Sequence, residues 1–223
     1  MQTVNRSSTN GTVLSVLTGR GLGNSAIGRL ISGPAGLSQA IWQDCPCFDD
    51  PSAGVALYDN FSNFRAVSTD ADWTATAATS GTWVMDTANV GRAIANAGAA
   101  TIHQGINVQR ISGPIIIPVA SSKVWFEARI KSTYPTTLQM FLGLATVDTT
   151  VIASGAMAAT AYAGLSILTT MAGLMKFSHQ TGGSGGTDLT TVTTLASATW
   201  TKLGFVITGL SSALVYVNGT VLA

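Results

Sequence analysis

"KVWFEARIK", residues 123–131, decides the fold class. Val124, Phe126, Ala128 and Ile130 fall on one side of an extended chain, while Lys123, Glu127, Arg129 and Lys131 fall on the other together with Trp125, because side chains alternate across a strand. One face is expected to enter a core and the other to meet solvent. Outward from this strand the same pattern of short apolar runs between turn residues continues: "TLQMFLGLATV" (137–147), "AYAGLSILTT" (161–170), "LMKFSHQTG" (174–182), "LTTVTTLA" (189–196), "WTKLGFVITG" (200–209) and "ALVYVNG" (213–219). Before it stand "GTWVMD" (81–86), "RAIANAG" (92–98), "ATIHQGINVQR" (100–110) and "GPIIIPVA" (113–120), the last demoted to an edge or crossing segment by Pro114 and Pro118, which cannot donate to a ladder. About ten to twelve strands and no long helical stripe predict an all-β fold, an antiparallel β-sandwich of two stacked sheets.

Residues 1–55 read differently. They are rich in Gly and Ser ("TGRGLGNSAIG", "SGPAG", "DCPCFDDPSAG"), and their short apolar pieces are too brief to enclose a core. An extended, mostly irregular N-terminal arm is expected over 1–55, followed by one β domain over 56–223. The arm's apolar side chains have to be buried on the chain's own domain or on a neighbouring subunit, since a free arm gains nothing by exposing them.

Composition narrows the function classes. Charged residues make up 9% of the 223 and apolar residues 46%, so the surface is poor in charge, polar through Thr, Ser, Gly and Asn or covered by other molecules. A net charge of +1 gives no field that would steer the chain to nucleic acid or an anionic membrane. Arg6, Arg20 and Arg29 make the start only mildly basic, short of a nucleic-acid arm. "MQTVNRSSTNGT" lacks the apolar core of a secretory leader, and the uncharged run 149–175 reads as two strands joined by "SGAMAAT" rather than a membrane span.

Candidate chemistry is sparse. Gly21, Gly23 and Ala26 fit G-x-G-x-x-A, but no βαβ pattern follows. Glu127, the one glutamate, is expected as a surface charge beside Arg129 or a lysine, and a glycosidase needs two carboxylates across the scissile bond. Cys45 and Cys47 flank Pro46, a spacing too tight for an easy disulfide, and His103 and His179 are too distant in sequence to complete a zinc set, so no metal or cofactor is expected. Both histidines stand in strand contexts where a hydrogen-bonded structural role is the plain reading. No Ser, His and acid set marks a nucleophile, and the glycine loop "HQTGGSGGTD" (179–188) reads as a hairpin tip.

The series "VWFEARIK", "LQMFLGLATV", "AGLSIL", "LMKFSHQTGG", "WTKLGFVITG" and "ALVYVNG" resembles the concanavalin-A-like, laminin-G-type jelly roll over about residues 59–223. "YDNFSNF" (58–64) is similar to the opening of such domains in viral structural proteins. The acid-rich strand of the family's glycosidases has no counterpart here, nor do its lectin metal loops, which leaves the structural branch. The layout of arm plus charge-poor jelly roll resembles tailed-phage head decoration or cement proteins. That resemblance implies a non-enzymatic virion protein on the capsid surface, with the major capsid protein as partner and a homo-oligomer, a trimer foremost. On it, Val13, Leu17, Arg20, Ile27, Arg29, Leu30 and Trp42 are the expected capsid contacts. The alternative is a carbohydrate-binding module of a phage tail fibre or spike. Val217–Thr220 predicts a tight hairpin, with either "LYDNF" or a neighbouring subunit expected to complete the sheet beyond it.

Overall fold

The structure, a computed structural model, describes residues 38–46, 53–55, 57, 73–78, 81–86, 92–96, 105–110, 119–158, 161–168, 171, 173–181, 187–209 and 211–222. All its strand pairings are antiparallel, and the chain belongs to the all-β sandwich class that the strand spacing predicts. The described residues fall into two units, drawn from Met1–Leu57, Ile117–Thr133 and Leu195–Ala223 in one case and from Tyr58–Ile116 and Tyr134–Thr194 in the other. Most of the expected arm, the segments 58–72 and 111–118, and the "LYDNF" completion of the sheet lie outside the described residues.

The first unit is built on β5 (Lys123–Ile130), β12 (Thr201–Thr208), β13 (Ser212–Val217) and β14 (Thr220–Val221), in the order β14-β13-β12-β5. Register is set face by face: Phe205 stands opposite Phe126 and Val215, and Leu203 opposite Ala128 and Val217. Phe205 and Leu203 are fully buried, and the Phe126 and Phe205 rings stack with centroids 4.9 Å apart. This is the apolar face read from "KVWFEARIK". The hairpin signal also holds. Asn218 and Gly219 have φ of 50° and 80°, the pair of left-handed residues that a two-residue turn needs, and the Asn218 side chain accepts the Lys202 N–H at 3.0 Å. β14 then pairs with β13 through Thr220 and Val221.

In the second unit the main sheet runs β11 (Thr187–Thr194), β10 (Leu174–Gln180), β9 (Tyr162–Ile167), β6 (Met140–Ala145). Leu165 and Ile167 on one face of β9 are fully buried, as are Met175 and Phe177 of β10. The opposite face buries Ser166 and Ser178, whose hydroxyls lie 3.2 Å apart and so satisfy each other. Three two-stranded ribbons complete this unit: β1 (Thr74–Ala78) with β4 (Gly105–Gln109), β2 (Thr82–Met85) with β3 (Ala93–Asn96), and β7 (Ile152–Ala153) with β8 (Ala156–Met157). The described residues of the uncharged run 149–175 include no helix long enough to cross a membrane, but "SGAMAAT" is not the plain loop expected, because Ala156–Met157 within it forms β8.

Candidate functional site

The polar face of β5 is not simply solvated. Residues 38–46 lie on it as a compact segment around a single helical turn, α1 (Gln39–Trp42), in which the Ile41 and Trp42 N–H groups both donate to the Ser38 carbonyl. Ile41, Trp42 and Cys45 are buried, and they form one cluster with Val206 and Tyr216 of the sheet, with Trp125 packed beside them. The segment can approach closely because Gly204 has no side chain. A Cβ there would stand 2.6 Å from the Ile41 Cδ1 and 2.7 Å from the Phe126 carbonyl oxygen.

Two carboxylates hold the segment from opposite directions. Glu127, on the sheet, accepts the Ser38 N–H at 2.9 Å, the Ser38 hydroxyl, and the Trp42 indole N–H at 2.9 Å. Asp44, on the segment, accepts the Lys123 ammonium at 2.7 Å and the Trp125 indole N–H at 3.0 Å. Each element therefore gives one acid to the other's tryptophan. Hydrogen bonds to a charged partner contribute about 1.5–3 kcal/mol each where they are shielded, as on Glu127, and the exposed Lys123–Asp44 pair contributes about 0–1 kcal/mol.

Partial burial acts to raise the Asp44 pKa, but the Lys123 and Trp125 hydrogen bonds and the Lys123 charge outweigh it and hold the carboxyl below its ordinary 3.8. A folded value below the unfolded one means that the contribution of Asp44 is complete above about pH 3.8 and is lost as the pH falls through the depressed value. The Trp125 indole proton, followed by NMR, is therefore expected to keep its bound shift down to about pH 4 and to move below it. Asp44→Asn removes that titration. A shift moving near neutral pH would show that Asp44 does not hold the indole.

Farther along the same sheet edge, the Arg129 guanidinium lies 4.5 Å and the Lys131 ammonium 5.4 Å from the centroid of the Trp200 ring. The turn that presents Trp200 has Ala198 at φ 54°, a left-handed conformation held by the Ala198 N–H on the Ser132 carbonyl and the Ser197 hydroxyl on the Thr133 carbonyl. The Trp200 ring is half-buried, and the two cations attracted to it are exposed.

Measured against the sequence expectations, Trp42 is displaced. Expected to touch a capsid, it is buried on its own chain, since its indole finds an acceptor in Glu127. Glu127 in turn serves donors from residues 38 and 42 instead of standing as a surface charge beside Arg129. Val13, Leu17, Arg20, Ile27, Arg29 and Leu30 lie outside the described residues, as do Cys47 and His103. Of His179, the buried Nδ1 has no hydrogen-bond partner among the described residues. Cys45 sits inside the clasp cluster. Among the described residues no group of three His, Cys, Asp or Glu side chains stands together as a metal set.

Both oxygens of Glu127 accept hydrogen bonds from its own chain. Comparison with protein-family models, with curated proteins and with solved structures returns no match. The functional reading therefore rests on the site itself.

Proposed function

We propose that the protein is a non-enzymatic structural protein of a virion, a capsid decoration or cement protein in which a jelly-roll body carries an N-terminal arm across neighbouring subunits. The observation that carries this reading is the clasp. Ser38–Cys45 ties the root of the arm to the sheet by two charged hydrogen-bond sets and by the burial of Ile41 and Trp42, so that a load on residues 1–37 passes into β5 and β12. A weakly charged chain, at 9% charged residues, fits a protein that acts by contact area. The major capsid protein is the partner, and a homo-oligomer, a trimer foremost, is the working unit.

Co-sedimentation with empty heads of the encoding phage tests this. Full-length protein is expected to load the shell, and a form lacking residues 1–37 to bind at least about tenfold more weakly while keeping its circular dichroism. Equal affinity of the two forms would sink the arm mechanism. The second reading, a carbohydrate-binding module of a tail fibre or spike, draws on the Arg129, Trp200 and Lys131 surface, where two exposed cations stand over a half-buried indole near one strand end.

A further inference from the structure

Three cations gather at one end of the polar face of β5 and β12. Lys202 stands directly opposite Arg129 in the register, and Lys131, two residues on, shares their side, since it and Arg129 both lie over the Trp200 ring. Like charges placed opposite each other on a sheet repel, so the arrangement costs stability in the chain by itself. Arg129 and Lys131 are exposed, and among the described residues neither makes an ion pair or a side-chain hydrogen bond. Other cations of the protein are answered within it: Lys123, on the same face at the far end of β5, is held by Asp44, and Arg92 stands 3.6 Å from Asp86.

The acid that the sequence offers to Arg129 is Glu127, two residues before it on the same face, and its oxygens are taken by Ser38 and Trp42. The closed clasp thus withdraws a neighbouring carboxylate from the cations. What it leaves is preset. The turn carrying Trp200 is pinned by the Ala198 N–H on the Ser132 carbonyl at 2.7 Å and by the Ser197 hydroxyl on the Thr133 carbonyl at 2.8 Å. Attraction to the indole then limits the freedom of two long side chains, which lowers what a ligand must spend to order them.

We propose that this surface docks an acidic polypeptide segment of a partner protein, with carboxylates on alternate residues meeting Arg129 and Lys131. Side chains two apart on an extended chain stand roughly 7 Å from each other, so the spacing matches on both sides of the contact. The Arg129 guanidinium takes a carboxylate by two parallel N–H contacts, and the Lys131 ammonium takes the next as a point charge. A sheet face does not enclose a small ion, so binding has to sum several spaced contacts, which a peptide supplies. Nucleic acid fits less well. A net charge of +1 gives a phosphate backbone no wider field, and a half-buried ring with cations against it offers no open plate to a base. The inference goes beyond the capsid reading, because any partner with such a segment would serve, and it takes from the sugar-binding reading the surface on which that reading draws.

NMR titration of the full chain in low salt with the peptide Glu-Ala-Glu-Ala-Glu tests it, with Gln-Ala-Gln-Ala-Gln as the uncharged comparison. The acidic peptide is expected to give saturable shifts at the Arg129 side-chain N–H and the Trp200 indole N–H, the uncharged one none, and salt at about 0.5 M should abolish most of the binding. Arg129→Gln and Lys131→Gln should each weaken affinity several-fold and together about tenfold, with the amide spectrum elsewhere unchanged because both side chains are exposed. No saturable shift, equal binding of the two peptides, or undiminished affinity in the double variant overturns the proposal. So does tighter binding of a thymidine hexanucleotide through the same two cations, which would make the surface a nucleic-acid site. Failure here leaves arm-dependent loading of heads untouched, and loss of that loading leaves this contact standing.

Discussion

Glu127→Leu is expected to release residues 38–46 from the sheet and to lower stability by about 3 kcal/mol, a large share of what a domain of this kind possesses. Leucine approximates the volume of the glutamate but offers no acceptor, so the Ser38 N–H, the Ser38 hydroxyl and the Trp42 indole lose their partner together. Left buried, each such donor costs about 1–3 kcal/mol, and the segment limits the loss by peeling away into water. Peeling is itself observable. Amide hydrogen exchange at residues 38–46 should rise to the rate of an open chain while β12 and β13 stay protected, and Trp42 emission should shift to the red. Glu127→Gln, which keeps one carbonyl oxygen, is expected to lose less than half as much. An unchanged melting temperature and unchanged exchange in the leucine variant would mean that the clasp contributes nothing, and the anchored-arm mechanism would fall with it.

The alternation in "KVWFEARIK" sufficed to predict β5, its apolar face and the antiparallel class, because period-2 patterning is strong wherever large apolar and charged residues take turns. Val217–Thr220 was legible for a different reason: the Asn-Gly pair specifies backbone angles that few other residues tolerate. β1, "TATAA", escaped the reading. It alternates Thr with Ala, two small residues of little contrast, and it is defined by its pairing with β4, about thirty residues on, which a local pattern does not carry.

The clasp was harder to read, although a trace of it was visible. Trp125 sits among charges on the face of β5 assigned to solvent, and "LGFVITG" in β12 carries apolar residues at consecutive positions with no polar alternation. Both facts fit a sheet covered on two sides. What covers the second side lies some eighty residues earlier in a stretch whose glycine and serine content reads as irregular, and the partner choice of Glu127 depends on that long-range approach. The hydrogen bond from the Asn107 amide to the Asp148 carbonyl likewise depends on a loop meeting a ribbon about forty residues away.

Neighbouring residues of β12 separate the two faces. Phe205→Ala is expected to cost about 3–5 kcal/mol, the range for emptying the site of a fully buried aromatic ring, because Phe126 loses its stacking partner and the face between β5 and β13 loses its largest side chain. That loss should appear as global unfolding at lower denaturant, with exchange rising across β5, β12 and β13 together. Gly204→Val acts on the other side of the same strand. Its Cβ meets the Ile41 side chain, which can move with residues 38–46, and the Phe126 carbonyl of the β5 backbone, which yields only if the pairing of β5 with β12 shifts. Its signature is therefore the opening of residues 38–46 that Glu127→Leu produces together with faster exchange along the β5–β12 pairing, and the two changes combined should cost less than their sum because the segment can be released only once. Phe205→Ala and Glu127→Leu, which act on opposite faces, should add more nearly. If residues 38–46 keep wild-type exchange in Gly204→Val, the segment does not rest on the bare backbone of residue 204, and the seat that the anchored-arm mechanism requires is lost.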